Sequence, residues 1–118
     1  MEFKEPKGIF QQIADSICDK ILSGELKAGD KLDSVRELAA KIGVNQNTIM
    51  RTYTEMMRDR IIDNQRGIGF FVNPNAKEQI LEKRREEFFS DELPFVAKQM
   101  RLLNITTDEL VKRINDEG

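Results

Sequence analysis

Histidine and tryptophan are absent from the 118 residues, and cysteine occurs once, as Cys18. Histidine is the commonest general base and the commonest transition-metal ligand, so its absence argues against most enzymes and most metal sites. A lone cysteine cannot form a disulfide within its chain, and Cys18 follows Ile17 in an amphipathic pattern that predicts a buried side chain. We therefore expect neither an enzyme nor a metal site, and no cofactor.

Long apolar runs are also missing, and the segment Met1–Pro6 has no hydrophobic targeting region, so we expect a cytoplasmic protein that does not enter a membrane. A chain of this length with 39% hydrophobic residues can form one compact domain and a short appendage. The formal net charge is only −2. Global charge therefore does not indicate nucleic acid, and any case for DNA depends on where the charges lie.

Two helices are predicted in the first 43 residues. Apolar residues recur at helical spacing from Ile9 to Leu22, and Gly24 can end that helix in a left-handed conformation. The second helix begins at Ser34, because the spacing of Ser34 and Glu37 is that of a capping box. Gly43 ends this helix after about two turns.

A third helix is predicted to begin after Asn45, which is a good N-cap. Its apolar face holds Ile49, Tyr53, Met56 and Met57. A wheel of 100° per residue places four polar residues on the opposite side, namely Asn47, Arg51, Thr54 and Arg58. Two helices joined by a tight glycine turn form a helix-turn-helix. A polar face taken alone favours an ordinary solvated helix, because such faces are the default on any surface helix.

A hairpin is predicted after the third helix. The β-prone runs Ile61-Ile62 and Phe70–Val72 flank the flexible segment Asn64–Gly69, and Pro74 closes the module. A hairpin in this position is a candidate wing. The fold class expected is therefore α+β, mainly α, with a winged helix-turn-helix in residues 1–75.

Residues 76–118 are predicted to form a short helical module. Pro94 interrupts its apolar pattern, and Thr106 with Glu109 has the spacing of a second capping box. Short helices need a surface to bury against, so we predict that this module holds a homodimer together. The predicted dimer contacts are Leu81, Phe88, Phe89, Phe95, Val96, Met100, Leu103 and Leu110.

The segment Lys31–Tyr53 resembles the DNA-binding domain of GntR-family transcription regulators. The resemblance continues through Glu55, Ile61-Ile62, Arg66–Gly69 and Phe71-Val72, and so covers roughly residues 9–74. It implies that the second and third helices and the wing meet operator DNA. The residues at those positions are Ser34, Arg36, Gln46, Asn47, Thr48, Arg51, Arg66, Gly67 and Gly69.

Three departures from the family pattern bear on this expectation. Asp33 replaces a usual proline, which brings a carboxylate near expected phosphates and leaves the cap of the second helix open. Arg60 replaces a usual glycine, so the third helix is expected to end without a left-handed residue. The wing has Asn64 and Gln65 before Arg66, where a second basic residue is common. Fewer neutralised phosphates imply modest non-specific affinity.

The short C-terminal part resembles that of the YtrA-like subfamily, where it implies a dimerisation module and often the regulation of transporter operons. The leading hypothesis is a sequence-specific repressor that binds an inverted repeat in double-stranded DNA. The alternative is a winged-helix protein-interaction module without specific DNA binding. An enzyme is disfavoured, because Glu86-Glu87 and Asp91-Glu92 read as solvated carboxylates without a catalytic partner. No effector ligand is indicated.

Overall fold

The computed structural model describes residues 8–118, so the N-terminal segment discussed above and the first seven residues of the predicted domain 1–75 lie outside the described residues. The elements in chain order are α1 (Ile9–Ser23), α2 (Val35–Ile42), α3 (Gln46–Arg58), β1 (Ile62–Gln65), β2 (Gly69–Val72), α4 (Ala76–Glu87), a π-helical segment (Phe88–Glu92), α5 (Leu93–Leu103) and α6 (Thr107–Glu117). Over residues 8–118, no helix combines the length and the apolar character needed to cross a membrane.

Helix α1 ends as its sequence predicts. Gly24 has a φ of 86°, and its N–H donates to the carbonyl of Ile21. The buried face of α1 consists of Ile13, Ile17, Cys18 and Ile21. The predicted burial of Cys18 is thereby confirmed.

The helix-turn-helix is fixed by two N-caps and one glycine. Ser34 Oγ accepts from the Glu37 N–H at 3.0 Å, and the Ser34 N–H donates to Glu37 Oε1 at 3.0 Å, which completes the predicted capping box. Gly43 ends α2 with a φ of 71°. Asn45 Oδ1 then accepts from the Asn47 N–H at 2.7 Å and starts α3. Each signal is local, which is why the sequence predicts these boundaries.

The end of α3 differs from the expectation. Arg60 itself adopts a left-handed conformation with a φ of 60°, so the prediction that α3 ends without such a residue is wrong. The Arg60 N–H donates to Met57 O at 3.0 Å, and the Ile61 N–H donates to Met56 O at 2.9 Å. These two bonds form a Schellman motif. They and the burial of Ile61 oppose a cost of about 1–2 kcal/mol for a left-handed non-glycine residue.

The predicted hairpin is confirmed as an antiparallel pair whose register runs from Ile62 opposite Val72 to Gln65 opposite Gly69. Its turn closes with the Ile68 N–H donating to Gln65 O at 2.9 Å, and Gly67 supplies the positive φ of 78° that the third turn position requires. Lys31 forms an isolated antiparallel bridge with Phe71 of β2. On either side of it, the Val72 N–H donates to Asp30 O and the Leu32 N–H donates to Phe70 O, each at 2.8 Å.

The core lies among α1, α2, α3, the hairpin and the start of α4. Tyr53 and Phe70 make an edge-to-face contact in it with ring centroids 4.8 Å apart. Ala76 and Ile80 are each 1% exposed and belong to the same cluster. The first of two compact units therefore extends to Leu81, past residue 75, and the second runs from Glu82 to Gly118.

No residue of the second unit is buried in the single chain. The predicted interruption at Pro94 takes the form of the π-helical segment, in which the Leu93 N–H donates to Phe88 O, with Pro94 in the first turn of α5. Helix α5 ends at Asn104, with a φ of 57°. Thr106 Oγ1 caps α6 by accepting from the Glu109 N–H at 3.1 Å, and the Glu109 carboxylate lies 3.8 Å from Arg113. The α+β, mainly α fold class is confirmed.

Candidate nucleic-acid interface

Helix α3 has one buried and one exposed face. The buried face consists of Ile49, Thr52, Tyr53 and Met56, each at most 1% exposed. Of the polar residues on the opposite side, Asn47, Arg51, Thr54 and Arg58 are all exposed. The polar face predicted from the helical wheel is therefore exposed to solvent.

The first turn of α3 leaves two amide side chains accessible. Asn45 provides its side chain to the cap, and Asn47 contributes only its backbone N–H. Gln46 and Asn47 are exposed, whereas Thr48 is half-buried. Side-chain amides can donate to and accept from base edges in the major groove, so this turn has the chemistry to read sequence.

Tyr53 joins α3 to the segment that enters α2. Its hydroxyl donates to the Asp33 carbonyl at 2.7 Å. Burial, reinforced by the charges of Asp33 and Glu37, raises the pKa of Tyr53 to about 12. The hydroxyl therefore keeps its proton, and the bond fixes the beginning of α2 against α3.

The beginning of α2 presents Ser34 and Arg36, both exposed. The Ser34 hydrogen bonds lower the pKa of the Glu37 carboxyl and keep it ionised at the end of the helix where the dipole is positive. Arg36 lies one residue into the helix and can reach outward.

The carboxylate of Asp33, expected to face phosphates, has a partner. Lys41 Nζ lies 2.9 Å from Asp33 Oδ2, and this hydrogen bond raises the pKa of Lys41. The cap of α2, left open because of Asp33, is Ser34. Since both groups are partly exposed, the pair adds little stability. Its main effect is to neutralise a negative charge beside α2.

The wing holds Arg66, Gly67 and Gly69, of which Arg66 and Gly67 are exposed. Gly69 has a φ of 142°, and a Cβ built there would lie 3.0 Å from the Cε of Lys31. The stem of Lys31 thus crosses the strand where a side chain is missing. Lys31 was not among the predicted site residues, because its proximity to Gly69 depends on strand pairing between distant segments.

The predicted dimer contacts are largely accessible in the single chain. Exposed are Leu81, Phe88, Phe89, Phe95, Val96 and Leu103, while Met100 and Leu110 are half-buried. Four further apolar side chains that were not predicted are also exposed, namely Leu93, Leu102, Val111 and Ile114. Among residues 8–118, no group of three histidine, cysteine, aspartate or glutamate side chains is placed to hold a metal ion.

A helix-turn-helix with an exposed polar recognition face and a hairpin wing defines the chain as a winged helix-turn-helix protein. The family described as bacterial regulatory proteins, gntR family, matches residues 9–72. The chain belongs to the GntR family of DNA-binding transcriptional regulators and is YtrA-like.

Two relatives come from Bacillus subtilis (strain 168). The chain is 40% identical to the uncharacterized HTH-type transcriptional regulator YhcF over 96% of its own length and 92% of that protein. It is 43% identical to the HTH-type transcriptional repressor YtrA over 63% of its own length and 57% of that protein.

Solved structures extend the similarity beyond the winged helix. A GntR-family regulator from Bacteroides thetaiotaomicron is 39% identical, with a TM-score of 0.79 over 92% of this chain and 95% of that chain. A GntR-family regulator from Listeria monocytogenes is 32% identical, with a TM-score of 0.77 over 97% and 98% of the two chains. YtrA from Sulfolobus acidocaldarius is 29% identical, with a TM-score of 0.55 over 98% and 92%.

Proposed function

We propose that this protein is a repressor that binds an inverted-repeat operator as a homodimer, with α3 of each chain in a major groove. The observation that carries the proposal is the exposed polar face of α3, which lies opposite a face that is at most 1% exposed. A helix anchored so firmly presents its polar residues in a fixed orientation. Base readout requires such an orientation, because hydrogen bonds depend on both distance and angle.

The proposed base-reading residues are Gln46, Asn47 and Thr48, with Arg51 one turn further along α3. Thr48 is half-buried, so it can make a close apolar or hydroxyl contact, while the longer amides reach deeper. Arg51 can bind a guanine edge or a phosphate. These residues set which operator is chosen.

The remaining DNA contacts are proposed for the beginning of α2 and for the wing. Arg36 would enter the major groove together with the start of α3, and Ser34 would meet the DNA beside it. Arg66, Gly67 and Gly69 would lie along the minor groove or its phosphates. We add Lys31, because its stem lies across Gly69 and brings a positive charge to a wing whose own sequence has only one.

Dimerisation is assigned to the predicted module 76–118. The absence of any buried residue in Glu82–Gly118 of the single chain supports this assignment. A stable interface buries about 800 Å² on each partner, and its core is more apolar than the rest of the surface and enriched in aromatic side chains. A two-fold axis would place two α3 helices about one turn of DNA apart, which predicts the inverted repeat.

Repression is proposed because the HTH-type transcriptional repressor YtrA is 43% identical to this chain in the shared region. A transporter operon is the target class that the YtrA-like resemblance implies. We propose that the protein lies in the cytoplasm with its DNA. We class it as a regulator and not as an enzyme, because its relatives are transcriptional regulators.

The test is to recover the DNA fragments that the intact protein retains from its own genome and to footprint the bound sites. An inverted repeat protected on two successive major grooves is expected. Binding-site selection with Asn47→Ala should relax preference at one or more positions of each half-site. Arg36→Ala and Arg51→Ala should each weaken binding by on the order of 1–3 kcal/mol if the side chain contacts a base.

Lys20→Ala is the matched control, because Lys20 is exposed in the last turn of α1, outside the proposed interface. Lys31→Met should lower the slope of binding against salt by about one. If no genomic fragment is enriched at any salt concentration between about 50 and 200 mM, the result would favour the protein-interaction module without specific DNA binding.

A further inference from the structure

Arg51 makes its contact with α1, outside the helix-turn-helix. Its Cζ atom lies 4.1 Å from the centroid of the Phe10 ring. This distance is well within the range of a cation–π interaction. Phe10 is the second residue of α1 and is half-buried, whereas Arg51 is exposed on the polar face of α3.

The position of Phe10 relative to α3 is fixed by the core. Ile13 and Ile17 of α1 are buried in the same cluster as Ile49 of α3. Thr52, next to Arg51, is 0% exposed, and its hydroxyl lies 2.8 Å from Thr48 O and 3.5 Å from the Phe10 carbonyl oxygen. The ring therefore rests on a backbone that is held in place beside the recognition helix.

A guanidinium stacked on a ring keeps its hydrogen-bonding capacity. The contact uses one face of the planar group, while all five N–H donors leave from its edge. Among residues 8–118, no carboxylate forms an ion pair with Arg51. The donors of this side chain are restrained in orientation and still available to a phosphate or a guanine.

We propose that Phe10 is a positioning residue for DNA binding, whose ring holds the Arg51 guanidinium in the orientation that meets the operator. This inference rests on the proposed function, in which Arg51 contacts DNA. An unrestrained arginine loses much rotamer freedom when it binds, and a side chain already ordered by stacking loses less. The first turn of α1 thereby becomes part of the reading apparatus.

The test is a double-mutant cycle on the intact protein with the operator duplex recovered from its genome. Phe10→Leu keeps an apolar side chain and removes the aromatic face, and Phe10→Tyr keeps that face. We expect Phe10→Leu to weaken binding about two- to fivefold, the range for an exposed cation–π contact, and Phe10→Tyr to bind as the unaltered protein does. In an Arg51→Ala background, Phe10→Leu should have no further effect.

The melting temperature of each variant, as a check on its fold, and the NMR shifts of the Arg51 side chain in the free protein complete the test. Ring-current shifts of the Arg51 side-chain protons should disappear in Phe10→Leu and persist in Phe10→Tyr. Equal weakening by Phe10→Leu with and without Arg51 would mean that the ring supports only the fold, and would overturn the proposal. If Arg51→Ala weakens binding but Phe10→Leu does not, the positioning role of Phe10 is wrong, while the proposed contact of Arg51 with DNA stands. If Arg51→Ala binds normally, the Arg51 contact in the proposed function fails and the positioning role fails with it.

Discussion

The two compact units differ in whether they bury their apolar side chains. The unit that ends at Leu81 encloses all the buried hydrophobic side chains of residues 8–118, including Ile49 and Tyr53. The unit Glu82–Gly118 contains three phenylalanines and encloses none of them. Hydrophobic content therefore does not by itself make a core. The elements must also close around it, as α1, α3 and the hairpin do.

Size explains much of this difference. A unit shorter than about 40 residues rarely closes a core alone and usually depends on disulfides, metals or oligomerisation. Glu82–Gly118 falls below this length and has no cysteine or histidine. This agrees with the proposed dimer, in which a second copy of the same chain offers the same exposed apolar surface.

Three substitutions of isoleucine by alanine test the contrast most strongly. Ile49→Ala, at a 0% exposed position, should lower the free energy of unfolding by about 2–5 kcal/mol, since it leaves a cavity. Ile68→Ala, at a 60% exposed position in the same unit, should change it by less than about 0.5 kcal/mol. Urea titration followed by circular dichroism measures both.

Ile114→Ala is the informative third member, because Ile114 is 58% exposed in the single chain. If a partner chain covers Ile114, the unfolding free energy lost in Ile114→Ala should increase as protein concentration is raised through the dimer dissociation constant. A cost that equals that of Ile68→Ala at every concentration would remove Ile114 from any interface.

Charge placed on the exposed apolar surface of Glu82–Gly118 should dissociate the proposed dimer. The double variant Phe89→Asp, Leu103→Asp should weaken dimerisation roughly 100-fold or more, because unpaired carboxylates are costly to bury. Sedimentation equilibrium measures this change, and Lys98→Asp on α5 is the matched control for charge alone. Dissociation of the control to the same degree would attribute the effect to repulsion and not to lost apolar contact.

The closed unit can be examined through Tyr53, the only tyrosine in a chain without tryptophan. Its pKa of about 12 in the folded protein lies above the ordinary value of 10.0. Stability from the buried neutral hydroxyl is therefore complete below pH 10 and is lost as the pH rises from there towards 12. Tyrosinate absorbance should titrate near 12 in the native protein and near 10 in urea. A native titration near 10 would place Tyr53 in solvent.

A smaller effect is expected at Arg60, which ends α3 with a positive φ. Arg60→Gly should relieve the strain and stabilise the first unit by up to about 1 kcal/mol, partly offset by the greater freedom of glycine in the unfolded chain. Arg60→Ala keeps the strain and removes the guanidinium, so it should not stabilise. Thermal unfolding of the two variants separates backbone strain from charge.

Local signals were read correctly from the sequence, and long-range ones were not. The caps Ser34 and Asn45 depend on residues two or three positions away, and so the boundaries of α2 and α3 could be predicted. Arg60 is a local exception, because the hydrogen bonds to Met57 and Met56 and the burial of Ile61 give it a left-handed conformation at a position where the sequence has no glycine. The approach of Lys31 to Gly69 depends on strand pairing.

The C-terminal unit gave a mixed result for the same reason. Pro94 marked a change in the helix, but a π-helical segment is a matter of hydrogen-bond register, which the apolar pattern does not encode. Ala76 and Ile80, at the start of α4, are buried in the core of the first unit. That unit therefore continues past residue 75, where the sequence predicts its boundary. Which residues meet DNA and which meet a second chain stay predictions.

Sedimentation equilibrium of the intact chain at micromolar concentration, alone and with its recovered operator duplex, tests the central claim directly. The account predicts twice the chain mass of 13.7 kDa without DNA, and two chains on each inverted repeat with it. The variant Phe89→Asp, Leu103→Asp should sediment as a single chain and lose most of its operator affinity. A monomeric intact protein that still protects both half-sites, or a monomeric variant that binds as tightly as the unaltered chain, would contradict the account.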